Sequence, residues 1–220
     1  MDKYQIEPVR GKDQIPFQCQ RCGQCCRDIK EQIMLESLDA YRLGNYLLKQ
    51  GIRLTGLDDV FNQYTQPAPL TSEGYPIFLL LTAGADNACV FLKDGTCCIY
   101  PARPRTCRLY PFTVGPGERG KDFEYYLCRD KTHHMAGGRV TVKDWMYDNF
   151  NREYKEFTRK EFEYAAEIGH LLRQSDSRHQ DHRTFLLLYF RYFNYNLQEP
   201  FFSQYDSNHS QLLEALKRLV

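Results

Sequence analysis

The sequence predicts a mainly α protein with an irregular cysteine-rich domain and a small β-hairpin. Three observations carry that expectation. All nine cysteines lie between Cys19 and Cys128, most prolines crowd the same stretch, and beyond Gly137-Gly138 the apolar residues recur at helical intervals. The compositional step near residue 140 divides the chain into a cysteine-cluster domain over 1–138 and a C-terminal helical segment over 139–220.

The elements follow in chain order. Ser37 reads as an N-cap for LDAYRLGNYLLKQ, whose leucines at 38, 43, 47 and 48 share a face before Gly51 supplies a stop. A short helix follows over Leu57 to Tyr64, ended by Pro67 and Pro69. IFLLLT and ACVFL are short β-prone runs separated by the turn-like AGADN and predict the hairpin; FEYYL at 123–127 adds a strand. Pro101, Pro104, Pro111 and Pro116 keep the intervening chain irregular, and GPGERG leading into GKD reads as a flexible loop. Met146, Phe150, Tyr154 and Phe157 fall on one face of a single long helix from about Lys143 to Arg173. RTFLLLYFRYFNYNL, 183–197, predicts an aromatic helix broken by Pro200, and Asn208 or Ser210 is expected to cap a last helix, SQLLEALKRLV. The C-terminal segment thus reads as three helices, and the aromatics of 185–205 as buried side chains of a bundle, with an interface role as the alternative.

Charge excludes some functions. With 29 basic against 28 acidic residues and a net charge of +1, no global field draws the chain to nucleic acid or an anionic membrane. The first 18 residues lack the apolar core of a secretory signal, and the runs Ile77 to Leu81 and Phe185 to Phe190 are too short to form a transmembrane segment. The expected location is cytoplasmic, where a reducing environment disfavours structural disulfides and metal or redox chemistry becomes the leading use of thiols.

The thiols fall in two groups. CQRCGQCCR, 19–27, places Cys19, Cys22 and Cys25 three apart with Cys26 adjacent; CVFLKDGTCCIYPARPRTCRLYPF, 89–112, brings Cys89, Cys97, Cys98 and Cys107, with Cys128 beyond. The three-residue step resembles iron–sulfur loops, although the fourth cysteine and proline of the ferredoxin run are replaced here by Cys26 and Arg27. Adjacent cysteines leave the backbone in different directions, so Cys25 and Cys26 are expected to serve different irons, bridge two metals, or divide between ligation and redox work. Eight thiols suit two four-sulfur sites, or one such site with a separate redox pair. Thiolate suits zinc as well as iron. Spacing and adjacency favour an iron–sulfur cluster, [4Fe–4S] being the leading form, with structural zinc as the alternative.

The CxxCxxCC run, followed by C-x-F-L, G-x-C-x-I-Y, R-P and C-R-x-Y-P-F, resembles the YkgJ-type cysteine-cluster family over roughly residues 17–128. That family is described as zinc- or iron-chelating. The resemblance implies metal ligands at Cys19, Cys22, Cys25, Cys26, Cys89, Cys97, Cys107 and Cys128, leaving Cys98 as the additional thiol. Some relatives are described as flagellin lysine methylases of the FliB type, which implies an S-adenosylmethionine-dependent enzyme as a further alternative. The implied partners are a protein redox partner or a protein substrate.

Arginine surrounds the thiols at 21, 27, 103, 105, 108 and 129. Such cations are expected to lower thiol pKa and offset a thiolate-bound centre. Arg103, Arg105 and Arg108 are also the candidate cofactor-binding residues, for an anionic substrate, a carboxylate-bearing cofactor or a partner protein. His133 and His134 lie close enough to Cys128 in sequence to replace a sulfur ligand, but a surface pair is the preferred reading; His170, His179 and His182 are expected to face solvent. No P-loop and no CxxxCxxC occurs, and the GxGxxG-type run GPGERG reads as a flexible loop.

Overall fold

A computed structural model describes residues 6–71, 75–117, 122–174 and 177–220. In chain order the elements are β1 (Ile6–Val9), β2 (Gln14–Pro16), α1 (Ser37–Lys49), α2 (Leu57–Tyr64), β3 (Thr65–Pro69), β4 (Pro76–Leu80), β5 (Thr82–Ala83), β6 (Ala88–Cys89), β7 (Leu92–Lys93) and β8 (Thr96–Cys97). Then come α3 (Arg105–Leu109), β9 (Phe112–Pro116), β10 (Phe123–Cys128), β11 (Arg139–Thr141), α4 (Val142–Asn149), α5 (Arg152–Gln174), α6 (Gln180–Leu188) and α7 (Phe201–Lys217). The architecture is mixed α and β, with more strand than the single expected hairpin. Two compact units interleave along the chain: Met1–Arg27, Phe91–Cys98 and Arg105–Glu163 form the first, and Asp28–Val90, Ile99–Pro104 and Tyr164–Val220 the second.

The first unit is built on an antiparallel sheet in the order β1-β10-β9, with Ile6 opposite Cys128 and Tyr125 opposite Val114. FEYYL therefore forms the central strand rather than an accessory one. A two-stranded ladder pairs β2 with β11, and the Asp13 carbonyl accepts from Val142 N at 3.0 Å as α4 begins. Phe17, Leu109, Phe112, Leu127, Met146, Phe150, Tyr154 and Phe157 are buried. Each such aromatic contributes about 2–3 kcal/mol on burial. The Trp145 indole N–H donates to the Leu109 carbonyl at 2.9 Å, fixing α4 against α3.

The predicted single helix over 143–173 is two helices. Its apolar face is continuous, but after Phe150 the chain breaks, and the Asn151 side chain accepts from Tyr154 N at 3.0 Å, an N-cap for α5. The GPGERG–GKD loop lies largely outside the described residues, which omit 118–121.

In the second unit α2 begins and ends where the sequence places it, and α1 starts on Ser37 itself, with Glu36 at the cap position. A hairpin does form over residues 82–89, with β5 against β6, but IFLL pairs instead with β3, Leu80 opposite Thr65. Phe61 and Phe78 lie 4.5 Å apart, with Tyr192 edge-on to both. The aromatic helix is shorter than predicted: α6 gives way to a π-turn over Tyr189–Phe193, and Tyr195 and Leu197 are buried beyond it. α7 begins at Phe201, directly after Pro200, so neither Asn208 nor Ser210 caps it. Asn208 is buried mid-helix instead. It exchanges hydrogen bonds with Asn194, Nδ2 to the Asn194 carbonyl and the Asn194 Nδ2 to its Oδ1, both at 2.7 Å. Among the described residues four α-helices, α4 to α7, follow residue 139 where three were expected. Among the described residues no helix is long and apolar enough to cross a membrane.

Candidate metal centre

Local sequence explains how the first unit gathers its thiols. Gly23 sits in the left-handed region at φ 70°, and Cys26 N donates back to its carbonyl at 3.0 Å, closing a 3-10 turn over Gln24–Cys26. Arg21 and Asp28 are left-handed too, at φ 51° and 55°, conformations that cost roughly 1–3 kcal/mol in a non-glycine residue and gather at functional loops. A Cβ on Gly23 would stand 2.6 Å from the Gly95 carbonyl oxygen, so the loop packs backbone to backbone on the hairpin of β7 and β8. Asp94 and Gly95, at φ 49° and 73°, supply the two left-handed residues of a type I′ turn, and this hairpin presents Cys97. Cys107 lies on α3, and Cys128 ends β10 with its N–H donating to the Pro111 carbonyl at 2.8 Å, next to the cis Tyr110–Pro111 bond.

Cys25 and Cys26, expected to diverge, converge: their sulfurs are 3.9 Å apart. The Cys26 thiol is pushed far up from its ordinary range by its hydrogen bond with Cys25, then by burial and by the negative charge of Cys25, Cys107 and Cys97. Burial raises the Cys128 thiol as well, and Lys131 offsets only part of that. The expected lowering by nearby arginines is thus overturned at these two positions: the Cys25 hydrogen bond, burial and neighbouring thiols set the direction at Cys26, and burial sets it at Cys128, with the Asp130 carboxylate adding to it. Arg129 instead gives its charge to Glu7, donating from Nε at 2.9 Å and Nη2 at 2.6 Å to one carboxylate oxygen. A cluster of thiols that resist ionising together is one that a bound cation would stabilise.

A second grouping adds imidazole. Cys22 Sγ lies 3.1 Å from His134 Nε2 and 3.7 Å from His133 Nε2, and the three donor atoms sit within 4.8 Å of one another. His134 is buried and His133 exposed, so only His133 keeps the surface position the sequence suggested for the pair. Its Nδ1 is 3.0 Å from the Tyr110 hydroxyl, and Phe17 meets its ring edge-on. Burial, followed by the neighbouring His133 and Lys131, holds the His134 pKa below its ordinary value, which favours the neutral, ligating form. Tyr110 is raised by burial and then by the charges of Cys128, Cys25, Asp130 and Cys22. The only sequence hint of these histidines was their position five and six residues after Cys128.

Cys19 and Cys98 are exposed. Cys89 is buried on β6, in the second unit. Arg103, also in the second unit, lies over the Tyr100 ring at 4.1 Å. Arg105 and Arg108 are on α3, with Arg108 6.0 Å from the Tyr154 ring centroid.

The model of a family described as "CxxCxxCC: Putative zinc- or iron-chelating domain" matches residues 18–136, more than half the chain. The chain belongs to the CxxCxxCC family. No curated protein and no solved structure matches. Membership in the CxxCxxCC family and the cysteine–histidine cluster of the first unit together support metal binding.

Proposed function

We propose that the first unit holds an iron–sulfur cluster, [4Fe–4S] as the leading form, through Cys25, Cys26, Cys97 and Cys107, and serves redox or protein-modification chemistry on a protein partner. The observation that carries this reading is the approach of the Cys25 and Cys26 sulfurs to 3.9 Å, with Cys97 and Cys107 near enough to raise the Cys26 thiol, an all-sulfur set drawn from a loop, a hairpin and a helix. When bound, the cluster supplies one-electron chemistry. The chain supplies four thiolates, the backbone packing of Gly23 on the hairpin, and a half-buried Cys26. Arg105 and Arg108, on the same helix as Cys107, are the residues proposed to meet an anionic group of the partner or cofactor.

A second reading, structural zinc, is favoured by one distance. Two zinc–sulfur bonds of about 2.3 Å at the tetrahedral angle place the sulfurs about 3.8 Å apart, and Cys25 and Cys26 are 3.9 Å apart. Iron and acid-labile sulfide analysis with visible spectroscopy, on protein purified without oxygen, decides between them. The iron–sulfur reading expects iron and sulfide in similar amounts and broad absorption bleached by dithionite. Colourless protein with stoichiometric zinc would replace it with the second reading, and protein free of both metals would defeat both. Methyl transfer to protein lysines, implied by resemblance to FliB-type relatives, requires S-adenosylmethionine binding by the metal-loaded protein; calorimetry that detects none would remove it.

A further inference from the structure

We infer that Cys22, His133 and His134 form a second, mononuclear metal site of mixed nitrogen and sulfur donors, separate from the thiolate centre and suited to a zinc-class divalent ion. The donor geometry argues for it. Bonds of about 2.3 Å to sulfur and 2.0–2.1 Å to nitrogen at a tetrahedral angle give a sulfur–nitrogen edge of about 3.5 Å; the observed separations of 3.1 and 3.7 Å bracket that value. Both histidines present Nε2 to the sulfur. The Tyr110 hydroxyl at Nδ1 of His134 completes the arrangement in which a ligating imidazole donates its other N–H to an outer partner, leaving Nε2 for the metal. Phe17, edge-on to both His134 and Tyr110, fixes the two rings from a third side.

Separateness rests on the donor sets. Among the described residues only Cys22, His133 and His134 bring three such donor atoms within 4.8 Å of one another, so no other thiol joins this group, whereas the Cys26 sulfur pairs with that of Cys25 at 3.9 Å. Imidazole with thiolate suits zinc, cobalt and nickel, and three protein donors leave a fourth tetrahedral position for a solvent oxygen or a further thiolate.

The test is metal analysis of the full chain purified without oxygen, followed by cobalt(II) titration of the chelator-treated protein, comparing wild type with His133→Asn, His134→Gln and Cys107→Ser. His133 is exposed, so its replacement leaves packing intact even if His134→Gln misfolds. The expected result is that each histidine variant loses an equivalent of bound divalent ion and the matching visible cobalt bands, while the metal of the thiolate centre stays. Cys107→Ser should do the reverse. Histidine variants that bind cobalt like wild type, with an unchanged spectrum, would overturn the inference. So would loss of all metal at once, because that marks one shared centre. If Cys107→Ser changes nothing while the histidine variants lose their ion, the thiolate reading fails and the second site stands.

Discussion

Replacing Gly23 by alanine should separate the CxxCxxCC loop from the hairpin that carries Cys97. Two costs add. Alanine in the left-handed region costs about 1–2 kcal/mol, and Gly23 requires that region at φ 70°. The new methyl would also stand 2.6 Å from the Gly95 carbonyl oxygen and 3.0 Å from Leu92 Cδ1. Because the nearer obstacle is backbone, the loop itself has to move, at a further cost of about 2 kcal/mol, the middle of the overpacking range. Gly95→Ala is the internal control: its φ is 73°, but nothing lies within 4 Å of its added Cβ, so it bears the conformational cost alone. The difference of about 2 kcal/mol corresponds to about 4–8 °C for a chain of this size. Gly23→Ala should therefore melt about 4–8 °C below Gly95→Ala by circular dichroism. It should also bind less metal, since Cys26 N is held by the Gly23 carbonyl and moves with it. Equal melting temperatures and equal metal content in the two variants would refute the argument that backbone contact between loop and hairpin sets the thiol geometry.

Other outcomes test other parts of the molecule. Metal uptake should release protons and strengthen as pH rises, because the Cys26 thiol is raised in the metal-free protein and must lose its proton to ligate; calorimetry in buffers of different ionisation enthalpy reads the proton count. Asn208→Ala should cost about 2 kcal/mol, visible as a shift of about 4–8 °C, since it strands the Asn194 side chain and carbonyl in a buried setting. Asp59, lowered by accepting from the Thr55 N–H and hydroxyl at 2.6 and 2.8 Å, contributes stability above the unfolded carboxyl pKa and loses it as pH falls through its depressed folded value. Asp59→Asn should therefore lower the melting temperature near neutrality and converge on wild type in acid.

Local pattern reached the elements whose reasons are local. Leu57–Tyr64 pairs an apolar face with a proline stop, and FEYYL carries strand formers in a row; both appear where the pattern puts them. It failed where one residue decides against a continuing pattern. The stripe of Met146, Phe150, Tyr154 and Phe157 runs through the break between α4 and α5, and the Asn151 cap that makes the break is a single side chain inside that stripe. Asn208 misled in the opposite direction: a residue type that favours caps is spent across 14 positions on Asn194. The Asp94-Gly95 turn carries a hairpin signal in its residue types, which cysteine spacing alone passes over.

The site shows the same division more sharply. Cysteine identity is chemically so restrictive that the thiols declare themselves in one dimension, whereas a histidine counts as a ligand only by what faces it. His133 and Cys22 are separated by 111 positions, and no periodicity encodes the β1-β10-β9 sheet and the β2-β11 ladder on either side of both segments. A flanking arginine misleads for the same reason. Arg129 follows Cys128 directly, yet alternation along the strand and the pairing of Ile6 with Cys128 leave its guanidinium to Glu7. Sequence adjacency therefore predicts the charge near a thiol poorly, and in this unit the thiols and imidazoles themselves set the field that a metal ion would answer.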